Sequence, residues 1–413
     1  MESTFTLNSD QAELVEKLKK WWDNYWRSYD SEQKFVYSGA AGTGKTTVMS
    51  TFINEIGLTE REYVCAALIG KAVLVMLKKG LPAKTVHSLI YNYMADKYID
   101  ENGEEKREFR FQLKNNLPKN LQLLVIDESS FITDKIAKDI LSFGLPVIFT
   151  GDMNQLPPPF GNSTILENPD HVLRTLMRQK EDDMIVQFAA NMLCGRRIPF
   201  GEYGNCRMLD SLEMGKNLLY DYDCIICSRN KTRELINQYI RSEILGIRKP
   251  HIPAINEKVI CRENKWTILL GEFSLTNGTV GYVKDIMPPR YRQKNKFTYF
   301  DFQPDYLEEG QRFREIPLDL EYLNLPVKER KNYSRFNKSI KFEYAYAITA
   351  YISQGSEYDR VLFIDEPCFD TETRFKLRYT AATRAVKRLD VLDYNGILYN
   401  KDLINFNKIA KIM

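Results

Sequence analysis

Eight consecutive residues, numbers 39–46, have the types and spacing of a loop that binds phosphate groups. The run Gly39-Ala40-Ala41-Gly42-Thr43-Gly44-Lys45-Thr46 fits the pattern G-x4-G-K-[ST], and it lies between an apolar run and a helical segment. Glycines let backbone N–H groups close around phosphates, at the positive end of the following helix. Lys45 would reach the β- and γ-phosphates of ATP. Thr46 would hold Mg²⁺, with Thr47 next to it in the binding segment.

A second apolar run, 121–126, ends in the carboxylates Asp127 and Glu128. Asp127 can hold the magnesium ion through its water shell, and Glu128 can accept a proton from an attacking water. An acidic pair after a strand is common by itself. Downstream of a phosphate-binding loop it predicts the second half of a site that hydrolyses ATP.

The hydrophobic pattern predicts the scaffold that these residues need. Short apolar runs at 34–38, 63–68, 121–126, 146–150, 223–228, 360–364 and 389–394 alternate with helical segments. This alternation is typical of βαβ units whose parallel strands are buried on both faces. The runs form two groups, so the sequence predicts an α/β protein with two domains in tandem.

Two stretches interrupt the alternation. Residues 92–119 are polar and charged, and Asn102-Gly103 at their middle is a hairpin signal. Residues 285–341 carry many aromatic side chains and period-two patches such as 296–302, which predict a small β-rich insertion.

Composition excludes several classes of protein. The 413 residues are 44% hydrophobic and 27% charged, with a net charge of +3, so a disordered or collagen-like chain is excluded. No run is long and apolar enough for a transmembrane helix, and the amino terminus lacks the pattern of a signal peptide. Seven irregularly spaced cysteines favour a reducing compartment, so we expect a cytoplasmic protein.

Three further motifs follow in a fixed order: GDMNQLPP at 151–158, TAYISQGSE at 349–357 and YTAATRA at 379–385. They resemble motifs III, V and VI of superfamily 1 helicases. The form G-D-x-x-Q-L-P is similar to the RecD-like and Dda-like branch, superfamily 1B, which moves 5′ to 3′. The chain length and the two insertions resemble the Dda-type helicases of bacteriophages most.

The resemblance implies two RecA-like P-loop domains with parallel sheets and ATP in the cleft between them. It divides the chain into a first RecA-like domain (1–91 and 120–170) with an inserted pin hairpin (92–119). A second RecA-like domain (171–284 and 342–413) would contain an inserted SH3-like β domain (285–341).

The resemblance also implies roles for residues of the nucleotide site. Gln11 matches the adenine-reading glutamine of the Q motif, and Gln155 would sense the γ-phosphate. Arg178 is similar to the arginine of motif IV, and Arg384 to the arginine finger of motif VI. Glu357 would lie near the ribose or the cleft.

Other motifs imply contacts to a nucleic-acid strand. Thr85 and His87 belong to a segment that resembles motif Ib, which contacts the strand backbone. Lys71 lies in the segment 66–72, which occupies the place of motif Ia. This chain has Leu68-Ile69 there instead of the usual Pro-Thr, so Lys71 or backbone groups would supply the contact. Thr349 and Tyr351 lie in motif V, with tyrosine where the family has histidine.

Three assignments leave two interpretations open. Asn230 follows an apolar run at a position similar to motif IVa, which would contact the nucleic acid, but asparagine is also an ordinary helix cap. Phe109 and Phe111 could stack on a base pair at the pin or pack against the first domain. The basic residues of 285–341 suit either a groove for a single strand or a solvated surface.

The sequence thus predicts an ATP- and Mg²⁺-dependent 5′-to-3′ DNA helicase that acts on single-stranded and forked DNA. We expect a monomer that does not associate with a membrane. Replication or recombination proteins are further candidate partners. The first alternative is an RNA helicase of the same superfamily, which recognition of the 2′-OH would distinguish. The second is a nucleic-acid-binding switch that hydrolyses ATP but does not unwind.

Overall fold

A computed structural model describes residues 7–99, 105–175, 184–210, 219, 221–247, 252–271, 273–287, 297–330, 333, 339–367 and 370–394. For residues 95–99 and 105–110 it describes the backbone alone. The chain forms two compact units, Met1–Asp183 and Met184–Met413.

Unit 1 is built on a six-stranded parallel sheet with the strand order β3-β2-β6-β7-β1-β8. Its strands are β1 Lys34–Gly39, β2 Tyr63–Ala67, β3 Ala83–Thr85, β4 Tyr91–Ile99, β5 Glu105–Leu113, β6 Leu123–Ile126, β7 Val147–Gly151 and β8 His171–Leu173. Its helices are α1 Ser9–Arg27, α2 Lys45–Glu55, α3 Gly70–Lys78, α4 Val86–Ile90 and α5 Asp134–Leu141. A 3₁₀ turn covers Ser129–Phe131. Strands β4 and β5 form a separate hairpin.

The central strands of unit 1 are buried along their whole length because their residues are apolar on both faces. Every residue of β2, β6 and β7 is buried. Helix α1 begins at a capping box, in which the Asn8 side chain accepts from the Gln11 N–H and the Gln11 side chain accepts from the Asn8 N–H. Its apolar face includes Leu14, Leu18 and Trp22.

The β4–β5 hairpin agrees with the prediction for 92–119, and its strands pair antiparallel from Tyr91 opposite Leu113 to Ile99 opposite Glu105. The predicted turn at Asn102-Gly103 lies outside the described residues. The hairpin is anchored at its base, because the Tyr91 hydroxyl donates to Asp139 of α5 at 2.5 Å.

Unit 2 contains a second six-stranded sheet with the order β19-β11-β20-β21-β10-β9, in which β9 alone pairs antiparallel. The strands are β9 Gly201–Tyr203, β10 Cys206–Asp210, β11 Cys224–Cys227, β19 Ala347–Thr349, β20 Tyr358–Asp365 and β21 Ala385–Asp393. The helices of the unit are α6 Met184–Leu193, α7 Asn230–Tyr239, α8 Leu320–Asn324, α9 Val327–Arg330, α10 Ala350–Ser353 and α11 Thr371–Ala382. A π-helical turn, Ile240–Ile244, continues α7.

Between β11 and β19 the chain forms an antiparallel sheet with the order β17-β16-β15-β12-β18, next to a two-stranded hairpin of β13 and β14. The strands are β12 Lys258–Cys261, β13 Lys265–Leu270, β14 Phe273–Leu275, β15 Val280–Ile286, β16 Phe297–Pro304, β17 Phe313–Asp319 and β18 Phe342–Tyr344. Phe300, Phe302 and Phe342 form its buried core.

Two boundaries differ from the sequence-based division of the chain. Unit 1 continues past residue 170, because His171–Leu173 pairs with β1 in the first sheet. The antiparallel sheet begins before residue 285, because Lys258–Cys261 pairs with both β15 and β18. Neither short strand has a period-two pattern, so the sequence could not assign it to a sheet.

A buried ionic network joins the two sheets of unit 2. The Glu343 carboxylate on β18 pairs with Arg233 of α7, with Arg330 at 3.3 Å and with Arg262 at 3.4 Å. A second buried pair, Arg241 with Glu257, has an Nε–Oε1 distance of 2.6 Å. Because buried charges need partners, these pairs hold α7 and the antiparallel sheet together.

The predicted fold class is confirmed: the chain is an α/β protein with tandem RecA-like domains on parallel sheets. Among the helices that the structure describes, none combines the length and apolar character needed to cross a membrane.

Candidate nucleotide and nucleic-acid sites

The phosphate-binding motif forms a loop between β1 and α2. Gly42 and Gly44 both have φ of +83°, a conformation that favours glycine over residues with a side chain. Thr43 closes the turn, because its N–H and its hydroxyl both donate to the Ala40 carbonyl. Helix α2 starts at Lys45 with no side-chain cap, so its first N–H groups point to the loop, as an anion site requires.

Lys45 lies inside this loop. Its Nζ donates to the carbonyl of Gly39 at 2.7 Å and to that of Ala40 at 3.2 Å. The ammonium group is therefore held by neutral carbonyl oxygens of the loop. Thr46 and Thr47 follow it in the first turn of α2.

The sheet order brings the predicted catalytic residues of unit 1 to one edge. Strands β6, β7 and β1 are neighbours and run parallel, so Asp127 and Glu128, Gln155, and the phosphate-binding loop all follow carboxyl ends at the same edge. Asp127 Oδ1 accepts from the Glu128 N–H at 2.8 Å. Glu128 itself has a positive φ of 52°, a strained conformation for a residue with a side chain.

Gln155 follows β7 in a turn closed by its N–H bond to the Asp152 carbonyl. Its side chain is 4% exposed. Its Oε1 has no hydrogen-bond partner among the residues that the structure describes. A buried amide oxygen without a partner carries an energetic cost, which suggests a ligand or water at this position.

Gln11 is joined to the phosphate-binding loop. Its Nε2 donates to the Thr43 carbonyl at 3.0 Å, and its Oε1 accepts from the Asn8 N–H at 3.1 Å. Both ends of the amide are thus used within the protein. In this conformation Gln11 supports the loop from the side of α1.

Sequence reasoning missed Asp10, which precedes Gln11. One Asp10 carboxylate oxygen lies 3.0 Å from His171 Nε2, and the other accepts from the N–H groups of Arg174 at 2.7 Å and Thr175 at 3.3 Å. Burial raises the pKa of Asp10, but these N–H groups and His171 lower it more, so the net pKa lies below its usual value. No local pattern reveals this contact, because its partners are far apart in sequence.

In unit 2, Arg384 lies just before β21, next to the segment that contains Glu357. Its guanidinium donates to the carbonyls of Thr380 at 3.0 Å and Ser356 at 3.2 Å, and to the Thr383 hydroxyl at 3.0 Å. The side chain is buried. All three acceptors are neutral, whereas Arg374 and Arg378 of α11 pair with the carboxylate of Asp365. Glu357 is exposed.

Three of the predicted nucleic-acid residues lie at or just after the carboxyl ends of β2 and β3, at the same edge of the first sheet as the phosphate-binding loop. Lys71 lies in the first turn of α3, and Thr85 caps α4 by accepting from the Ser88 N–H. His87 is half-buried in α4, and burial lowers the pKa of its imidazole.

An aromatic cluster joins α4 to the base of the hairpin. The Phe111 ring centroid lies 5.1 Å from that of His87, 5.6 Å from that of Tyr91 and 6.0 Å from that of Tyr93. Phe111 is 40% exposed, so it is neither buried in a core nor isolated from the protein.

The remaining residues that are predicted to contact nucleic acid lie in unit 2, at or just after the carboxyl ends of β11 and β19. These neighbouring strands run parallel, so Asn230 and the pair Thr349 and Tyr351 lie at one edge. Asn230 is exposed, and the N-cap position of α7 belongs to Arg229. The helix-cap interpretation of Asn230 is therefore wrong. Just before the helix, the buried Glu366 carboxylate accepts from the N–H groups of Ser228 and Arg229.

Some predicted positions are not described. Arg178, the side chain of Phe109 and most of the basic residues between 285 and 341 lie outside the described part of the chain.

Two protein families match parts of the chain. An AAA domain family matches residues 6–198, and the UvrD-like helicase C-terminal domain matches residues 344–392. An uncharacterized protein of Methanocaldococcus jannaschii is 25% identical over 442 aligned positions, which cover 86% of this chain and 36% of that protein. The chain thus spans about a third of the length of this relative.

Two solved structures share the fold. One is a structure that addresses DNA unwinding at forked duplex DNA by two coordinating Pif1 helicases. Its TM-score is 0.52, and its sequence is 18% identical to this chain. The other is Bacteroides Pif1 bound to single-stranded DNA, with a TM-score of 0.51 and 16% identity. Each match covers 98% of this chain and 94% of the other. These likenesses show the fold that this chain shares with both structures.

Proposed function

We propose that the chain is an ATP-driven, 5′-to-3′ translocase on single-stranded DNA that also unwinds duplex DNA. The observation that carries this proposal is the arrangement in unit 1. The phosphate-binding loop, the pair Asp127 and Glu128, and Gln155 follow three neighbouring parallel strands at one edge. The match of the second unit to a helicase C-terminal domain supplies the other half of the proposal. Within superfamily 1B, the insertions favour the Dda-type helicases.

ATP would bind at the loop 39–46, with its phosphates on the first N–H groups of α2 and on the Lys45 ammonium. A hydroxyl and a carboxylate, from Thr46 and Asp127, form a donor set that suits Mg²⁺, which prefers oxygen ligands and keeps several waters. The ion would neutralise charge on the β- and γ-phosphates when it is bound.

In the hydrolysis step, the Glu128 carboxylate would accept a proton from the water that attacks the γ-phosphate. The unpaired Gln155 Oε1 supports a role for this residue in orienting that water or sensing the γ-phosphate. Arg384 would stabilise the charge that develops on the transferred phosphoryl group. Its neutral partners support this role, because they leave its positive charge uncompensated.

In unit 1, single-stranded DNA would contact the sheet edge that carries Lys71, Thr85 and His87. In unit 2, it would contact the sheet edge that carries Asn230, Thr349 and Tyr351. The β4–β5 hairpin would act as the pin that separates the duplex. Exposure of Phe111 beside His87 supports stacking on a base, since aromatic side chains contribute about 1–3 kcal/mol per stacked base.

Unwinding of two partial duplexes, one with a 5′ single-stranded tail and one with a 3′ tail, tests this proposal. We expect separation of the 5′-tailed DNA alone, with ATP and Mg²⁺, and none by Lys45→Ala. Separation of the 3′-tailed DNA alone would overturn the polarity and the superfamily 1B branch. ATP hydrolysis that is equally fast with and without single strands would instead favour a switch. Faster unwinding of matched RNA duplexes would favour an RNA helicase.

A further inference from the structure

The first turn of α1 contacts two functionally different parts of unit 1. Gln11, which is 1% exposed, bonds the Thr43 carbonyl of the phosphate-binding loop. The neighbouring Asp10 bonds Arg174 and Thr175, in the segment through which the chain leaves unit 1. Two consecutive residues of one helix thus connect the nucleotide loop to the exit segment.

This connection is stiff. Asn8 and Gln11 form a capping box, which fixes the start of α1 with two reciprocal hydrogen bonds. Further along the helix, Leu14, Val15 and Leu18 are buried. A displacement of the loop at Thr43 would therefore move the Asp10 carboxylate rather than be absorbed by fraying of the helix end.

The contact at the exit segment is also well defined. The Asp10 carboxylate is 19% exposed and receives three N–H groups, two from the main chain and one from His171. On the other side of the imidazole, Lys17 Nζ lies 3.2 Å from His171 Nδ1, so the ring is fixed between two residues of α1. Hydrogen bonds to a charged acceptor are about twice as strong as those between neutral groups.

We propose that Asp10 is a positioning residue that transmits the nucleotide state of the phosphate-binding loop to the segment 171–175, and through it to the second unit. This inference rests on the proposed function, because it assumes that ATP binds at residues 39–46. It adds a route by which occupancy of that loop alters the chain that leads to the other half of the motor.

Hydrogen exchange of the full-length protein, with and without the ATP analogue AMP-PNP and Mg²⁺, tests the inference directly. In the wild type we expect slower exchange both in residues 39–46 and in peptides that contain Arg174 and Thr175. In Asp10→Asn, which replaces an acceptor oxygen by an N–H₂ donor, we expect slower exchange in 39–46 alone. The ATP consumed per base pair unwound should rise at least threefold, while strand-stimulated turnover stays within twofold.

Two variants serve as controls. Asp23→Asn makes the same chemical change on the exposed side of α1, where Asp23 pairs loosely with Arg27 at 4.0 Å, and it should behave as the wild type. His171→Gln leaves the bonds to Arg174 and Thr175 intact, so it should retain most of the response. If Asp10→Asn does not fold, the wild-type comparison with and without AMP-PNP still tests the inference.

The outcomes separate the two proposals. Protection of 39–46 without any change in 171–175 of the wild type would overturn the inference and leave the proposed function intact. An unchanged response in Asp10→Asn would do the same. Absence of protection at 39–46 in the wild type would overturn both.

Discussion

The Phe111 ring of the β4–β5 hairpin packs against the His87 ring of α4, with 5.1 Å between their centroids. The two residues come from segments that the sequence assigns to different tasks, duplex separation and contact with the strand. In the folded protein they belong to one aromatic cluster.

This contact predicts that His87 and Phe111 act together on single-stranded DNA. Each change to alanine should weaken binding of a single-stranded oligonucleotide by about 1–3 kcal/mol, and the double variant should lose less than the sum. Fluorescence anisotropy at one salt concentration measures these affinities. Tyr29→Ala removes a fully exposed ring at the end of α1 and should leave binding unchanged. Strict additivity would show that the two rings bind independently.

Lys45→Ala should abolish ATP turnover without unfolding the protein, because Lys45 bonds two loop carbonyls and no buried carboxylate. A coupled ATPase assay and circular dichroism measure the two effects. Lys34→Ala, at the exposed start of β1, is the matched control and should retain wild-type turnover. Undiminished hydrolysis by Lys45→Ala would contradict the assignment of the ATP site.

Arg384→Ala should leave ATP affinity nearly unchanged and lower strand-stimulated turnover by about 10³-fold or more, since an arginine finger acts on the transition state. Isothermal titration with AMP-PNP and steady-state kinetics separate binding from turnover. Because Arg384 is buried, the thermal unfolding of the Arg384→Ala variant must also be measured. Lys387→Ala, a change at an exposed neighbour, is the control for stability. Loss of nucleotide binding, or normal turnover, would be inconsistent with a finger.

Glu343→Gln should lower the free energy of unfolding by about 3 kcal/mol at neutral pH, because the buried Arg233 loses the carboxylate with which it pairs. Burial raises the pKa of Glu343, but Arg233, Arg262 and Arg330 outweigh it and hold the pKa below its usual value of 4.5. The carboxylate therefore stabilises the protein above pH 4.5, and this contribution disappears as pH falls through the lowered pKa. Urea unfolding at several pH values should show the difference between variant and wild type narrowing below pH 4.5. Glu329→Gln, on the exposed side of α9, should show no difference at any pH.

Seven strands of the two six-stranded sheets could be predicted from the sequence, because each lies in a short, continuous apolar run. The other five strands, β3, β8, β9, β10 and β19, were not predicted. The run at 223–228, for example, contains the strand Cys224–Cys227, all of it buried. The edge that carries Asp127, Glu128 and the loop 39–46 could also be predicted, because catalytic residues follow the carboxyl ends of such strands.

Contacts between distant segments could not be predicted in the same way. Asp10 and His171 meet only because β8 adds to the sheet beside β1, and neither residue has a local signal. The burial of Arg384 against the carbonyls of Thr380 and Ser356 likewise depends on how a turn folds back on β21. Composition and spacing describe the residues of a motif but not the acceptors that hold them.

The ionic bonds between α7 and β18 have a mechanical consequence. Asn230, a proposed contact for the strand, begins α7, and Arg233, one turn further on, binds Glu343 of the antiparallel sheet. A force that the DNA exerts on Asn230 would therefore act on both sheets of unit 2 at once, because the ion pair limits their displacement relative to each other. If the chain moves along DNA as proposed, such low compliance would reduce the share of the work from each ATP that is lost to internal flexing.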